Sequence, residues 1–153
     1  MVRIRLVIVL LLVFNPISFY GEKLLASGNS SFFVIVNVQN PIASLDRKFL
    51  ADVFFKKITH WPEDGVIQPI DLRPDAPARS KFSEEVLDRS VMGVKNYWQQ
   101  VIFSGRDVPP PELKNDSEVI HFIVKNPSAI GYISGASVDI VTPENGIKMV
   151  NIK

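Results

Sequence analysis

The run Phe32-Phe33-Val34-Ile35-Val36-Asn37-Val38 constrains the fold more than any other stretch of the chain. Successive side chains of a strand point to opposite faces, so an unbroken β-branched and aromatic run has no face to give to water. It fits a strand buried on both sides, as in a parallel sheet, and Asn40-Pro41 ends it. Ser44 then stands as an N-cap with Asp46 in the first turn. Leu45, Phe49, Leu50, Val53 and Phe54 repeat at helical spacing, and Lys56 and Lys57 suit the helix C-terminus. A turn through Trp61-Pro62-Glu63-Asp64-Gly65 leads into a second strand over residues 66–72. Strand, helix and strand together predict a right-handed crossover unit.

The stretch from Asp71 to Phe82 is the candidate working part. It joins that strand to a helix whose buried face is Phe82, Val86 and Leu87. Pro74 and Pro77 stiffen the junction, and Pro77 suits the first helical position. A helix N-terminus presents unpaired N–H groups and the positive end of the helix dipole. Arg79 and Ser80 fall in its first turn, where a cation is mildly unfavourable unless an anion sits between it and the backbone donors. Two readings stay open: an anion site, or a solvated arginine at the edge of an ordinary helix. The first predicts that removing Arg79 weakens anion binding and leaves the free fold as stable or slightly more so.

Farther on, Ser90 caps a helix carrying Val91, Val94, Tyr97, Trp98, Val101 and Ile102. The loop 104–111 holds three consecutive prolines. A helix opens at Asn115-Asp116-Ser117-Glu118 and carries Val119, Ile120, Ile123 and Val124. Residues 129–133 read as a buried strand in which Gly131 marks a close backbone approach. Residues 147–152 read as a last, edge strand. Strands alternating with helices predict an α/β domain with a mostly parallel sheet flanked by helices.

The N-terminus reads as a secretory signal peptide. Arg3 and Arg5 precede nine apolar residues, Leu6 to Phe14, which are too few to span a membrane comfortably. The expected division is a leader over 1–21, a flexible polar lead-in over 22–31 and a domain over 32–153, giving a periplasmic protein. An uncleaved N-terminal anchor is the alternative. Losing Arg3 and Arg5 from 17 basic residues leaves 15 against 16 acidic ones. That balance argues against nucleic acid as a partner. The chain has no cysteine, so packing alone must hold an exported domain.

Little supports catalysis. His60 and His121 have no partners at metal spacing, and His121 reads as a core or boundary residue. There is no GxSxG, P-loop or GxGxxG pattern, and Glu84 and Glu85, adjacent on a helix, face different ways. Trp61 has the place of a lid residue or of a cover over a helix end. Neither an enzyme nor a cofactor or metal is expected.

The order of motifs resembles the phosphate-binding proteins of ABC transporters. Residues 34–37, Asn40-Pro41 and Ser44-Leu45 precede Val53-Phe54-Phe55-Lys56-Lys57-Ile58-Thr59-His60-Trp61. That segment is similar to the family's I-F-x-G-K-I-x-x-W signature, with Lys56 in place of the glycine. Ile67 and Pro69, then Arg73 with Asp75, then Arg79, Ser80 and Phe82 follow in order. Tyr97-Trp98, Phe103-Ser104-Gly105, Pro109-Pro110-Pro111 and Ile130-Gly131-Tyr132 complete a match over residues 33–135. The resemblance implies one lobe of a type II periplasmic binding protein that holds a small oxyanion, phosphate for preference. It implies Arg73, Asp75, Arg79 and Ser80 as ligand-binding residues, with Ser44 as a further candidate. The partners it implies are a membrane transporter or sensor, or a second copy or lobe. Ala76-Pro77-Ala78-Arg79 replaces a Gly-Ser-Gly-Thr-like run, with two hydroxyls lost, and the chain has about half the length of a two-lobe binder. A protein-interaction module that kept the fold and lost the ligand is the alternative.

Overall fold

The computed structural model describes residues 31–63 and 65–153. The leader, and the lead-in except Ser31, lie outside the described residues. No helix among the described residues is long and apolar enough to cross a membrane.

The elements run β1 (Phe32–Asn37), β2 (Ser44–Leu45), α1 (Arg47–Phe54), β3 (Gln68–Pro69), β4 (Asp71–Leu72) and α2 (Pro77–Glu85). They continue with α3 (Val91–Phe103), β5 (Glu112–Leu113), α4 (Asp116–Lys125), β6 (Ala129–Ser134), β7 (Ile147–Met149) and β8 (Asn151–Ile152). The main sheet has the order β3-β6-β1-β7, and β2-β8 and β4-β5 form two small ribbons. Three pairings, β2-β8, β3-β6 and β4-β5, are parallel, which makes the domain a mostly parallel α/β structure by ladder. The central strand is the exception, since β1 pairs antiparallel with both β6 and β7.

That exception corrects the crossover reading. β1 and β3 are not neighbours: β6 lies between them, antiparallel to one and parallel to the other. A run apolar on both faces reports burial, not strand direction, and Val34, Ile35 and Val36 are indeed buried. The predicted strand 66–72 is divided into β3, which pairs with β6, and β4, which pairs with β5. Pro69 has no N–H to donate, and the two halves bond in different directions.

Alternation along β6 sorts the layers. A Cβ on Gly131 would stand 2.9 Å from Val119 Cγ1 and 3.4 Å from Ile123 Cδ1, so this face meets α4 with no room for a side chain. Tyr132 points the other way and stacks on Phe82 of α2 with ring centroids 3.8 Å apart. Phe54 of α1 and Phe32 of β1 pack around Phe82, and α3 packs against α2. The sheet is thus sandwiched, with α2 and α4 on opposite faces.

Helix caps decide two details. The cap of α1 is Asp46, which accepts from the amides of Lys48 at 2.8 Å and Phe49 at 3.3 Å. Ser44 and Leu45 are drawn instead into β2 by their pairing with Asn151 and Ile152. Lys56 and Lys57 fall beyond the helix, and Lys56 adopts φ 54°. This left-handed position, which glycine occupies without strain, is the one where the signature has glycine. Ser90 and Asn115 cap α3 and α4 as read.

Candidate functional site

β4 and α2 leave the same tight junction, and they bring two charged side chains together inside the protein. Asp71 ends an apolar segment and is buried. Arg79, eight residues later, lies on the inner face of α2 with Phe82 and Ser83, and its exposure is 3 %. Arg79 Nη1 donates to both Asp71 oxygens, at 2.6 Å and 2.5 Å. Asp71 Oδ1 also accepts from Tyr132 Oη at 2.6 Å and from the Leu72 amide at 2.8 Å. Burial pushes the Asp71 carboxyl above its ordinary value, while Arg79, Tyr132 and the Leu72 amide pull it partly back. Burial works against the Arg79 charge, but Asp71 and Tyr132 outweigh it and hold the guanidinium above its ordinary value. Burial, with Asp71 beside it, also raises the Tyr132 phenol well above the usual range, so Tyr132 is a donor.

This corrects the expectation that removing Arg79 spares the free fold. Removing one partner of a buried pair leaves the other charge uncompensated, which costs about 3–5 kcal/mol. Still, the pair does not use up the arginine. Its hydrogen bonds, including a long one of 3.5 Å to Tyr132, all leave from Nη1, and Nε has no partner. The Nε edge of the guanidinium is buried without a partner, which is costly for a cation.

Asp71 and Arg79 line a cavity of about 430 Å³ in the seam between α2 and α3. Val91, Met92, Val94, Trp98 and Ile102 supply the α3 wall, and Pro74 and Pro109 also line the cavity. Lys95, Gln99 and Glu112 add polar groups, and neither Lys95 nor Glu112 has an ion-pair partner among the described residues.

Of the residues predicted for the site, only Arg79 lines this cavity. Ser80 is exposed and donates to Glu84 Oε1 at 3.0 Å. Arg73 and Asp75 are exposed at the turn and face each other at 3.4 Å. Ser44 sits in β2, beside β8. Asp71, Tyr132 and Lys95 were missed. A carboxylate ending an apolar strand was the available signal for Asp71. Tyr132 closed the motif match without being given a site role, and Lys95 had no signal, because only the tertiary fold places it. His121 is exposed on α4, not in the core, and Trp61 is buried. No group of three histidine, cysteine or acidic residues among the described residues could hold a metal ion.

The same arrangement of strands and helices occurs in solved phosphate-transport proteins. An ABC-type phosphate transport receptor from Vibrio cholerae matches with a TM-score of 0.59 and 21 % identity, over 79 % of this chain and 45 % of its own. A protein from Clostridium perfringens assigned as a phosphate ABC transporter substrate-binding protein, and solved with bound phosphate, matches with a TM-score of 0.60. Its identity is 21 %, over 79 % of this chain and 44 % of its own. PstS from Borrelia burgdorferi gives a TM-score of 0.62 at 16 % identity, over 80 % of this chain and 47 % of its own. The mixed α/β fold matches that of a single lobe of these binding proteins. This chain spans less than half the length of each of these proteins. No family model and no curated protein matches its sequence.

Proposed function

We propose that this chain is an exported, non-enzymatic binding protein for a small oxyanion, with a phosphoryl group preferred, working with a membrane transporter or sensor. The observation that carries the reading is Arg79: a guanidinium at 3 % exposure, with Nε unpaired, lining a cavity of the right size for a ligand. The shared fold with phosphate-transport proteins supports it. Net charge does not drive binding here, since Arg79 and Lys95 are offset by Asp71 and Glu112. Directed donors do, and an oxyanion supplies the acceptors that a buried guanidinium lacks. The carboxylates then select among anions. Phosphate keeps a proton near neutral pH and can donate it to Asp71 or Glu112, whereas sulfate has none and is repelled. Arg73 and the side-chain-uncapped N-terminus of α2 stand at the outer end of the junction, where they steer an anion inward.

Calorimetric titration tests this reading. Phosphate should bind with measurable heat and sulfate more weakly. Equal affinities would remove the role of the carboxylates. No heat and no thermal shift with millimolar phosphate, sulfate or organic phosphates would end the binding reading.

A second reading, a protein-interaction module, is favoured by one observation. Met92, Ile102, Phe103 and Val108 are exposed at 60 %, 48 %, 89 % and 58 % along α3 and the loop after it. A blank titration together with a concentration-dependent sedimentation coefficient would favour it.

A further inference from the structure

We infer that the ligand of the α2–α3 cavity is a monosubstituted phosphoryl compound, a phosphonate or phosphate monoester with an apolar body, and not bare inorganic phosphate. This rests on the oxyanion reading above and names its substrate class.

The cavity is mixed in chemistry. Its cationic and amide side chains are Arg79, whose Nε has no partner, and Lys95 and Gln99, which stand among Met92, Trp98 and Ile102 along α3. A bare phosphate has four oxygens, each with lone pairs that must be paired once water is removed, and leaving them unpaired is costly. Here Val91, Met92, Trp98 and Ile102 offer nothing to pair with. An oxyanion drawn to Arg79 would therefore turn at least one oxygen toward hydrocarbon. Replacing that oxygen by a carbon chain or ring removes the mismatch and also covers apolar surface that is otherwise wet. The volume, about 430 Å³, is larger than one phosphate needs and falls within the range of pockets that hold small organic molecules. Met92 and Ile102 are 60 % and 48 % exposed in the free protein, so burial against a ligand body is still available to them.

The experiment compares four probes by calorimetry on the purified protein: inorganic phosphate, phenylphosphonate, phenyl phosphate and neutral benzyl alcohol. Phenylphosphonate and phenyl phosphate should each bind at least tenfold more tightly than phosphate, and benzyl alcohol should not bind measurably. Met92→Asn places a neutral polar group on the apolar wall at a position exposed enough to leave the fold intact. It should cut the affinity for both phenyl compounds tenfold or more while changing that for phosphate by less than threefold. If phosphate binds as tightly as the phenyl compounds, or if Met92→Asn leaves their advantage intact, the inference is overturned and the oxyanion reading stands. Benzyl alcohol binding as well as phenylphosphonate, or no binding by any probe, overturns both. A preference for one phenyl compound over the other identifies which bridging group, carbon or oxygen, the site accepts.

Discussion

α2 and α3 pack against each other and invert the usual distribution of polarity in opposite senses. α2 is a mostly polar helix that buries an arginine and a serine, Arg79 and Ser83. α3 is a mostly apolar helix that leaves Met92, Ile102 and Phe103 in water. Exposed apolar side chains are ordinary one at a time, and buried polar ones are ordinary when fully paired. Neither condition holds here, and both departures border the same seam. A seam lined by Arg79, Lys95 and Gln99 together with uncovered hydrocarbon suits a molecule having both polar and apolar parts. This contrast, more than any motif, is what supports the proposed site.

The α2 side breaks hardest. Arg79→Ala should lower stability by about 3–5 kcal/mol, because Asp71 remains buried without its counter-charge. The double variant Asp71→Leu, Arg79→Met should return close to the parent, since a buried ion pair is often replaceable by hydrocarbon of similar volume. Urea denaturation reads both. A mild Arg79→Ala would show that water reaches the pair. The same double variant supplies the pH test. The Asp71 carboxyl is raised in the folded protein, so the native state holds its proton more tightly than the unfolded chain does. The stability it contributes is fully present below the ordinary carboxylate value and is lost as pH climbs through the raised one. Parent minus double variant should therefore fall across that window, and a rise would reverse the assigned direction.

Tyr132→Phe comes next. It keeps the ring, which lies parallel to Phe82 within 5°, and removes only the hydroxyl that donates to Asp71. The expected loss is about 1–3 kcal/mol, the cost of under-satisfying a buried acceptor. Ser83→Ala should act in the other direction. Ser83 is fully buried and its Oγ has no partner, so deleting the hydroxyl should gain about 1 kcal/mol. A loss in thermal unfolding would show that the hydroxyl is bonded after all.

How much of this could be read from the chain depended on whether a signal was local. β1, β6, α3 and α4 were legible because apolar runs, helical spacing and caps agreed within each segment. Gly131 was legible as a close approach, and α4 is what approaches it. Ser44 and Asp46 are both good caps two residues apart, and pairing with β8 at the far end of the chain chose between them. The antiparallel setting of β1 had no local signal either. Arg79 is the instructive miss. Its i+3 and i+4 neighbours, Phe82 and Ser83, are both buried, so helical geometry alone puts Arg79 on the inner face. The charge argued for water, and only the distant Tyr132 and the nearby Asp71 made burial affordable. Of the proposed site, then, one residue was readable and its setting was not.

The smallest expected effect tests the α3 side. Phe103 ends α3 at 89 % exposure, so almost none of its surface is covered in the free chain. Phe103→Ser removes apolar area that already faces water, and a surface change of this kind shifts stability by no more than about 0.5 kcal/mol. The melting temperature should stay where it is at any protein concentration. A second copy seated on this face would change the result in a recognisable way. The parent would then melt higher as concentration rises, because mass action stabilises whatever binds the folded state only. Phe103→Ser would abolish that dependence while leaving the dilute protein unchanged. Flat melting in both proteins leaves the apolar wall of α3 free for a ligand in the seam. A concentration-dependent parent assigns at least its C-terminal end to another protein chain.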